Sequence, residues 1–181
     1  MTDDTRDALG LLRSYLRHRM FVAEGVALVA EALHRRATVH DASKLLDDEF
    51  HGFTRINAAA RVEKFGSPEY DEGMARERGT INLHFSRNRH HPERPRVLGE
   101  AAETARGLPD DATSWGAHTA AQMTFLDVTE MVCDWWGAWK AYDDPRPWAE
   151  SVALNLESKG AYLTDAQRWL ADSVAAFLQE K

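Results

Sequence analysis

The sequence has little of what stabilises secreted proteins or anchors a chain in a membrane. Cys133 is the single cysteine, which excludes an internal disulfide and fits a reducing cytoplasm. No apolar run approaches the ~18 residues of a bilayer-spanning helix, and the polar, acidic N-terminus lacks the pattern of a signal peptide. We therefore expect a cytoplasmic protein with no membrane partner.

Basic residues are too few for a protein that coats nucleic acid. The chain has 22 Lys and Arg against 29 Asp and Glu, a net charge of −7, which argues against a nucleic-acid duplex as a partner. The 181 residues, of which 44% are hydrophobic, suffice for one domain with a buried core. We expect a single domain over 1–181, with its core at about 8–142 and a C-terminal helical extension at about 146–181.

Strand signals are also scarce, because alternating runs of β-branched and aromatic residues bounded by turn residues are missing. Apolar residues recur instead at helical spacing along most of the chain. The segment from Pro92 to Gln122 is rich in proline and glycine and predicts a long loop. The sequence thus predicts an all-α fold: a first helix that begins after Asp3, Asp4 or Thr5 and reaches Arg36, followed by helices at about 40–53, 56–65, 69–89, 124–142, 148–158 and 165–179.

The dipeptide His40-Asp41 is the most informative feature that the sequence does contain. Imidazole and carboxylate are both good ligands for divalent metals. A His-Asp pair on one helical turn could chelate a metal if a histidine and an aspartate from other helices complete the site. His18 lies upstream and Asp134 downstream, so each could supply one of these ligands.

Two further groups of polar residues follow helical spacing. Glu130 and Asp134 are four residues apart and share one helix face. His84 and His91 are nearly aligned, with Asn88 between them and His90 beside them; these four residues form a second polar stripe. Either group alone is most simply a solvated surface, whereas a buried stripe needs partners such as a metal ion.

In this order the motifs resemble those of the HD superfamily of metal-dependent phosphohydrolases, which implies a compact HD-domain-like helical bundle with a long loop before a late metal-binding helix. The residues are also similar to an uncharacterised HD-like family found in phage and bacterial genomes. That resemblance rests on three separated motifs: His40-Asp41-Ala42-Ser43-Lys44 followed by Glu49, His84 with Asn88-Arg89-His90-His91, and Glu130-Met131-Val132-Cys133-Asp134-Trp135.

The resemblance implies an inner metal held by four residues, His18, His40, Asp41 and Asp134. A second metal would be held by His84 together with His90 or His91, and the sequence leaves open which of the two is the ligand. The cofactor would be one or two divalent ions per chain, with Mn, Co, Ni, Zn, Mg and Fe all open.

The resemblance also implies roles for residues around the metal. Asp41, Lys44 and Glu130 would form the catalytic group. In it Lys44 holds a phosphate oxygen as a point charge, and Glu130 either takes a proton from the attacking water or orients a histidine ligand. The remaining substrate contacts would come from residues after His84, namely Arg87, Asn88 and Arg89.

The expected function is a metal-dependent phosphohydrolase that acts on a nucleotide or another small phosphoester, in which the nucleotide is an expectation from the family alone. Two alternatives stay open: an HD-type di-iron oxygenase, and a non-catalytic protein that binds a nucleotide or a protein partner. The tryptophan-rich late helix fits a core or a dimer interface equally well, so a homodimer is also open.

Overall fold

The computed structural model describes residues 3–62, 67–94, 97, 123–142 and 144–180. These residues are predominantly helical and include no strand, which confirms the predicted all-α class. The helices are α1 (Asp3–Val39), α2 (Asp47–Val62), α3 (Pro68–Arg76), α4 (Arg78–Arg87), α5 (Phe125–Ala141), α6 (Trp148–Lys159) and α7 (Asp165–Gln179), with 3₁₀ turns at Ala42–Leu45 and Gly160–Tyr162. Most of the predicted loop at 92–122 lies outside the described residues.

The chain divides into two compact units, Met1–His40 and Asp41–Lys181. The first unit is formed by α1, a helix of 37 residues with Arg36 in its last turn, where a positive charge favours the helix dipole. No helix among the described residues combines the length and the apolar character that crossing a membrane requires. The single-domain organisation stays a prediction.

The first half of the second unit holds α2, α3 and α4 in mutual contact. Ser67 caps α3 by accepting a hydrogen bond from the backbone N–H of Tyr70, and Pro68 occupies the first turn. Gly52 on α2 faces Thr80 on α4 so closely that an added Cβ would overlap the threonine side chain. The glycine therefore sets the short distance between these two helices.

The second half of this unit contains the hydrophobic core. Helices α5, α6 and α7 pack against one another around residues that include Val128, Met131, Trp135 and Trp148. The indole Nε1 of Trp148 donates a buried hydrogen bond to the carbonyl of Ala175 at 2.9 Å. Capping boxes at Thr124 and Thr164 begin α5 and α7.

Candidate metal centre

Asp41 begins the second unit in a left-handed backbone conformation, with φ of 55° and ψ of 15°. Aspartate tolerates this region better than most residues do, but it is still an unusual conformation for a residue other than glycine. The carbonyl of Asp41 accepts a hydrogen bond from the N–H of Lys44 at 2.9 Å and so starts the 3₁₀ turn. The Lys44 ammonium lies 2.5 Å from Asp41 Oδ2, which leaves Oδ1 directed elsewhere.

Two histidines lie close to that second oxygen. Nε2 of His84 lies 3.2 Å and Nε2 of His90 lies 3.4 Å from Asp41 Oδ1. One ligand atom from each of Asp41, His84, His90 and His91 lies within 4.8 Å of those of the other three. The histidines are only 2%, 2% and 9% exposed, respectively. The structure thus brings together the aspartate of the His-Asp pair and all three histidines of the second motif.

The donor set fits a divalent metal ion. Within the described residues, the buried Nε2 atoms of His84 and His91 make no hydrogen bond of normal geometry. A buried polar atom without such a bond is costly, and a cation would satisfy several of these atoms at once. Burial is the largest cause that holds the pKa of His91 well below its usual range, and the neighbouring His90 adds to it. His91 is therefore neutral at pH 7, the form that binds metals.

The carboxylate of the cluster is ionised. Burial of Asp41 opposes its ionisation, but the contacts with His84, His90 and Lys44 outweigh that effect and hold its pKa well below its usual range. An anionic oxygen beside neutral imidazole nitrogens is the donor set that a cation site requires.

Two carboxylates contact these imidazoles at Nδ1, the ring nitrogen opposite the one that faces Asp41. Nδ1 of His84 lies 2.9 Å from Oε2 of Glu49, a fully buried residue on α2. Nδ1 of His90 lies 3.5 Å from Oε1 of Glu130 on α5. A carboxylate behind a ligating imidazole orients the ring and increases its basicity as a ligand. The sequence left two roles open for Glu130: it could take a proton from the attacking water or orient a histidine ligand. Its contact with Nδ1 of His90 favours the orienting role.

The residues predicted to bind substrate make protein contacts in this structure. Arg87 donates to both oxygens of Asp48 and to Oε1 of Glu49. Asn88 donates to Ser43 Oγ and to the carbonyl of His84, both at 2.9 Å. The guanidinium of Arg89 lies 3.3 Å and 3.4 Å from the oxygens of the buried Asp127, which also caps α5. Their roles toward a substrate stay predictions.

The other predicted ligands divide between the two units. A carboxylate oxygen of Asp134 lies within 4.8 Å of one of Asp41, which places the late aspartate at the edge of the cluster. His18 is an exposed residue of α1, and His40 forms the turn after it; both belong to the first unit. The inner metal site that would include them stays a prediction.

Sequence reasoning assigned no role to Glu49, Ser43 or Lys159. Glu49 was visible as the acidic residue that follows the His-Asp motif, but only the packing of α2 on α4 places it behind His84. Ser43 donates to Oε2 of Glu49 at 2.9 Å. Lys159 lies over the ring of Trp135, 5.6 Å from its centroid, and its charge contributes to the lowered pKa of His91. Neither contact has a signal in the local sequence.

The model of a Family of unknown function (DUF5662) matches residues 9–181. Because this match covers most of the chain, the protein belongs to that family. No curated protein and no solved structure matches the chain. The arrangement of side chains described above is therefore the basis on which a function can be inferred.

Proposed function

We propose that the protein is a metal-dependent phosphohydrolase of the HD type that acts on a nucleotide or another small phosphoester. The observation that carries this proposal is the buried cluster of Asp41, His84, His90 and His91, whose ligand atoms lie within 4.8 Å of one another. Three imidazoles with one carboxylate favour Mn, Fe, Co, Ni or Zn over Mg, which prefers oxygen ligands.

The charge of the ligand set supports an anionic substrate. Asp41 contributes one negative charge, and His91 is held neutral by burial. With neutral imidazoles, a bound divalent cation keeps a net charge of about +1, which an anionic ligand such as a phosphate oxygen would balance. Lys44, whose ammonium contacts Asp41, is a second positive charge at the edge of the cluster. These two positive charges could hold a phosphate oxygen, against the opposing carboxylates of Glu130 and Asp134 at the same cluster.

The metal, when bound, would lower the pKa of a coordinated water and neutralise charge that develops on the phosphoryl group. The side chains of the protein provide the geometry for this chemistry. Asp41 and the histidines hold the ligand atoms together, and Glu130 orients His90. Lys44 is placed to hold a phosphate oxygen.

Metal binding and activity test the proposal together. Protein stripped with a chelator is reloaded with Mn²⁺, Co²⁺, Ni²⁺, Zn²⁺ or Fe²⁺, analysed for metal content, and assayed with p-nitrophenyl phosphate and a panel of nucleotides. His91→Ala should bind metal at least 10-fold more weakly and lose activity, because it removes a buried ligand. His51→Ala is the matched control, since His51 is an exposed histidine on α2.

Wild-type protein that binds no divalent metal, or that hydrolyses phosphoesters equally well without one, would overturn the proposal. Two irons per chain with oxygen-dependent turnover would replace hydrolysis by oxygenase chemistry. A metal-bound protein that binds nucleotides without turnover would favour the binding role.

A further inference from the structure

Helix α1 presents a long apolar face to solvent. The first unit contains this one helix, and every residue from 9 to 31 is exposed. Large apolar side chains nevertheless recur here, mostly three or four residues apart. They occupy one half of the helix surface at 3.6 residues per turn. They include Leu9, Leu12, Leu16, Val22, Val26 and Val29, which are between 40% and 65% exposed. A contiguous apolar patch of this extent marks an interaction surface.

The charged residues of α1 alternate in sign along the helix. From residue 7 onward they form four groups, acidic, basic, acidic and basic: Asp7; Arg13, Arg17 and Arg19; Glu24 and Glu31; Arg35 and Arg36. Two copies that run in opposite directions therefore place unlike charges side by side. Two parallel copies would place each charge level with its own counterpart. The charges thus favour a second copy of this chain, in the antiparallel orientation, as the occupant of the apolar face.

One antiparallel register satisfies several of these charges together. When Arg13 lies level with Glu31 of the second copy, two-fold symmetry repeats the same pair at the other end of the interface. Arg19, which projects from the apolar half, then comes within about one residue of Glu24 of the second copy. The guanidinium of Arg19 lies 5.8 Å from the centre of the Tyr15 ring, and its long stem lets the charge reach the edge of the face.

We propose that α1 is a dimer interface, at which two copies of this chain pack their apolar faces in antiparallel orientation. A helix of 37 residues is about 55 Å long, and half of its surface, at a radius of about 5 Å, amounts to roughly 850 Å². A stable interface buries about 800 Å² on each partner. The apolar half of α1 is therefore large enough to hold a dimer by itself, and the proposal does not depend on the metal site.

The mass of the full chain in solution is the first measurement. Sedimentation equilibrium from micromolar to near-millimolar concentration should show a dimer. Val26 lies at the middle of the apolar half and is 65% exposed, whereas Leu28 is 60% exposed on the opposite half. Val26→Lys should weaken the dimer at least about 10-fold, because it places a charge in the apolar contact. Leu28→Lys is the matched control and should change the affinity by less than about 3-fold.

An exchange of charges tests the direction of the two helices. Arg13→Glu and Glu31→Arg should each weaken the dimer about 5-fold, because each turns two pairs of unlike charges into pairs of like charges. The double variant should return to within about 3-fold of the wild-type affinity. Since the two positions lie about 27 Å apart along one helix, they cannot compensate each other within a single chain.

A wild-type protein that stays monomeric over the whole concentration range would overturn the proposal, and this measurement needs no variant to fold. In such a monomer, protection of the α1 amides from hydrogen exchange would assign the apolar face to the second unit of the same chain. Binding of the monomer to vesicles of anionic phospholipid would assign the face to a lipid surface. A dimer that is unaffected by Val26→Lys, or that the double charge exchange does not restore, would overturn the antiparallel interface as well.

Discussion

Oδ1 of Asp41 lies 3.2 Å from Nε2 of His84, although one residue precedes α2 and the other lies near the end of α4. The contact joins the left-handed residue that begins the second unit to the helix that carries the first histidine of the second motif. Its geometry depends on two features with separate physical causes, the backbone conformation at residue 41 and the close packing of α2 on α4. Each can be tested by substitution.

The left-handed conformation at residue 41 predicts that Asp41→Gly will be more stable than Asp41→Ala. Both variants remove the same carboxylate, but alanine in this region is strained by about 1–2 kcal/mol, whereas glycine is not. Part of that difference is offset by the greater freedom of glycine in the unfolded chain. We expect the glycine variant to be more stable by about 0.5–1 kcal/mol in urea denaturation with a chelator present.

At a position inside a helix, we expect alanine to be more stable than glycine. At residue 58, an exposed position within α2, we expect glycine to be less stable than the native alanine by about 1 kcal/mol. An alanine variant at residue 41 that equals or exceeds the glycine variant would contradict the strained conformation.

The contact between Gly52 and Thr80 predicts that Gly52→Ala will separate α2 from α4. The new methyl group would overlap the threonine side chain, so we expect a loss of about 1–3 kcal/mol in stability. Because α2 carries Glu49 and α4 carries His84, zinc affinity should fall in the same variant. Thermal unfolding and calorimetry measure the two effects.

Gly79→Ala is the matched control, since an added Cβ there meets no atom within 4 Å. The better helix propensity of alanine should leave that variant neutral or more stable by up to about 1 kcal/mol. Equal behaviour of the two variants would show that the spacing between α2 and α4 does not depend on Gly52.

The ion pair between Asp144 and Arg146 predicts a pH-dependent contribution to stability in the turn before α6. The guanidinium of Arg146 is the main cause that lowers the pKa of Asp144, with Nε 2.8 Å from Oδ1. A lowered folded-state pKa means that the stabilisation is complete above the unfolded value of about 3.9 and is lost as the pH falls through the folded value. Since the pair is close to solvent, we expect it to contribute less than about 1 kcal/mol.

Asp144→Asn should therefore be less stable than wild type at pH 7 and should approach it as the pH falls toward about 2. Denaturation curves measured across this range test the prediction. Asp172→Asn, a change at an exposed aspartate on α7, is the control for removal of one negative charge. A constant difference between Asp144→Asn and wild type at all pH values would contradict the assigned charge effect.

Local signals in the sequence were sufficient for the last helices. The helix predicted at 165–179 is observed as Asp165–Gln179, with Thr164 as its cap, because a capping box and regular apolar spacing both act over a few residues. The helix predicted at about 124–142 is observed as Phe125–Ala141 for the same reason.

Helix boundaries that depend on tertiary contacts were predicted wrongly. The helix predicted at about 40–53 does not start at His40, because Asp41 is left-handed and Leu46 is extended. The break predicted between 53 and 56 is absent, because α2 runs continuously through these residues. The helix predicted at about 69–89 divides at Glu77, whose carboxylate is held by Arg55 of α2. Gly79, two residues after Glu77, has a low helix propensity but does not by itself predict a break at Glu77.

The candidate site, too, could be predicted from the sequence only in part. The residue types and their order singled out Asp41, His84, His90 and His91, which the fold brings into one cluster. The role of Glu49 could not be predicted, because an acidic residue in the first turn of a helix is most simply a favourable charge at its N-terminus.

The contact between Lys44 and Asp41 has a consequence for the stability of the metal-free protein. The ammonium serves as a resident counterion, so removal of a cation would not leave the carboxylate without a compensating charge. Many small zinc modules unfold when stripped, because the ion is their main source of cohesion. Here the core of α5, α6 and α7 forms from apolar side chains, so the proposed site could lose or exchange a metal without unfolding of that core.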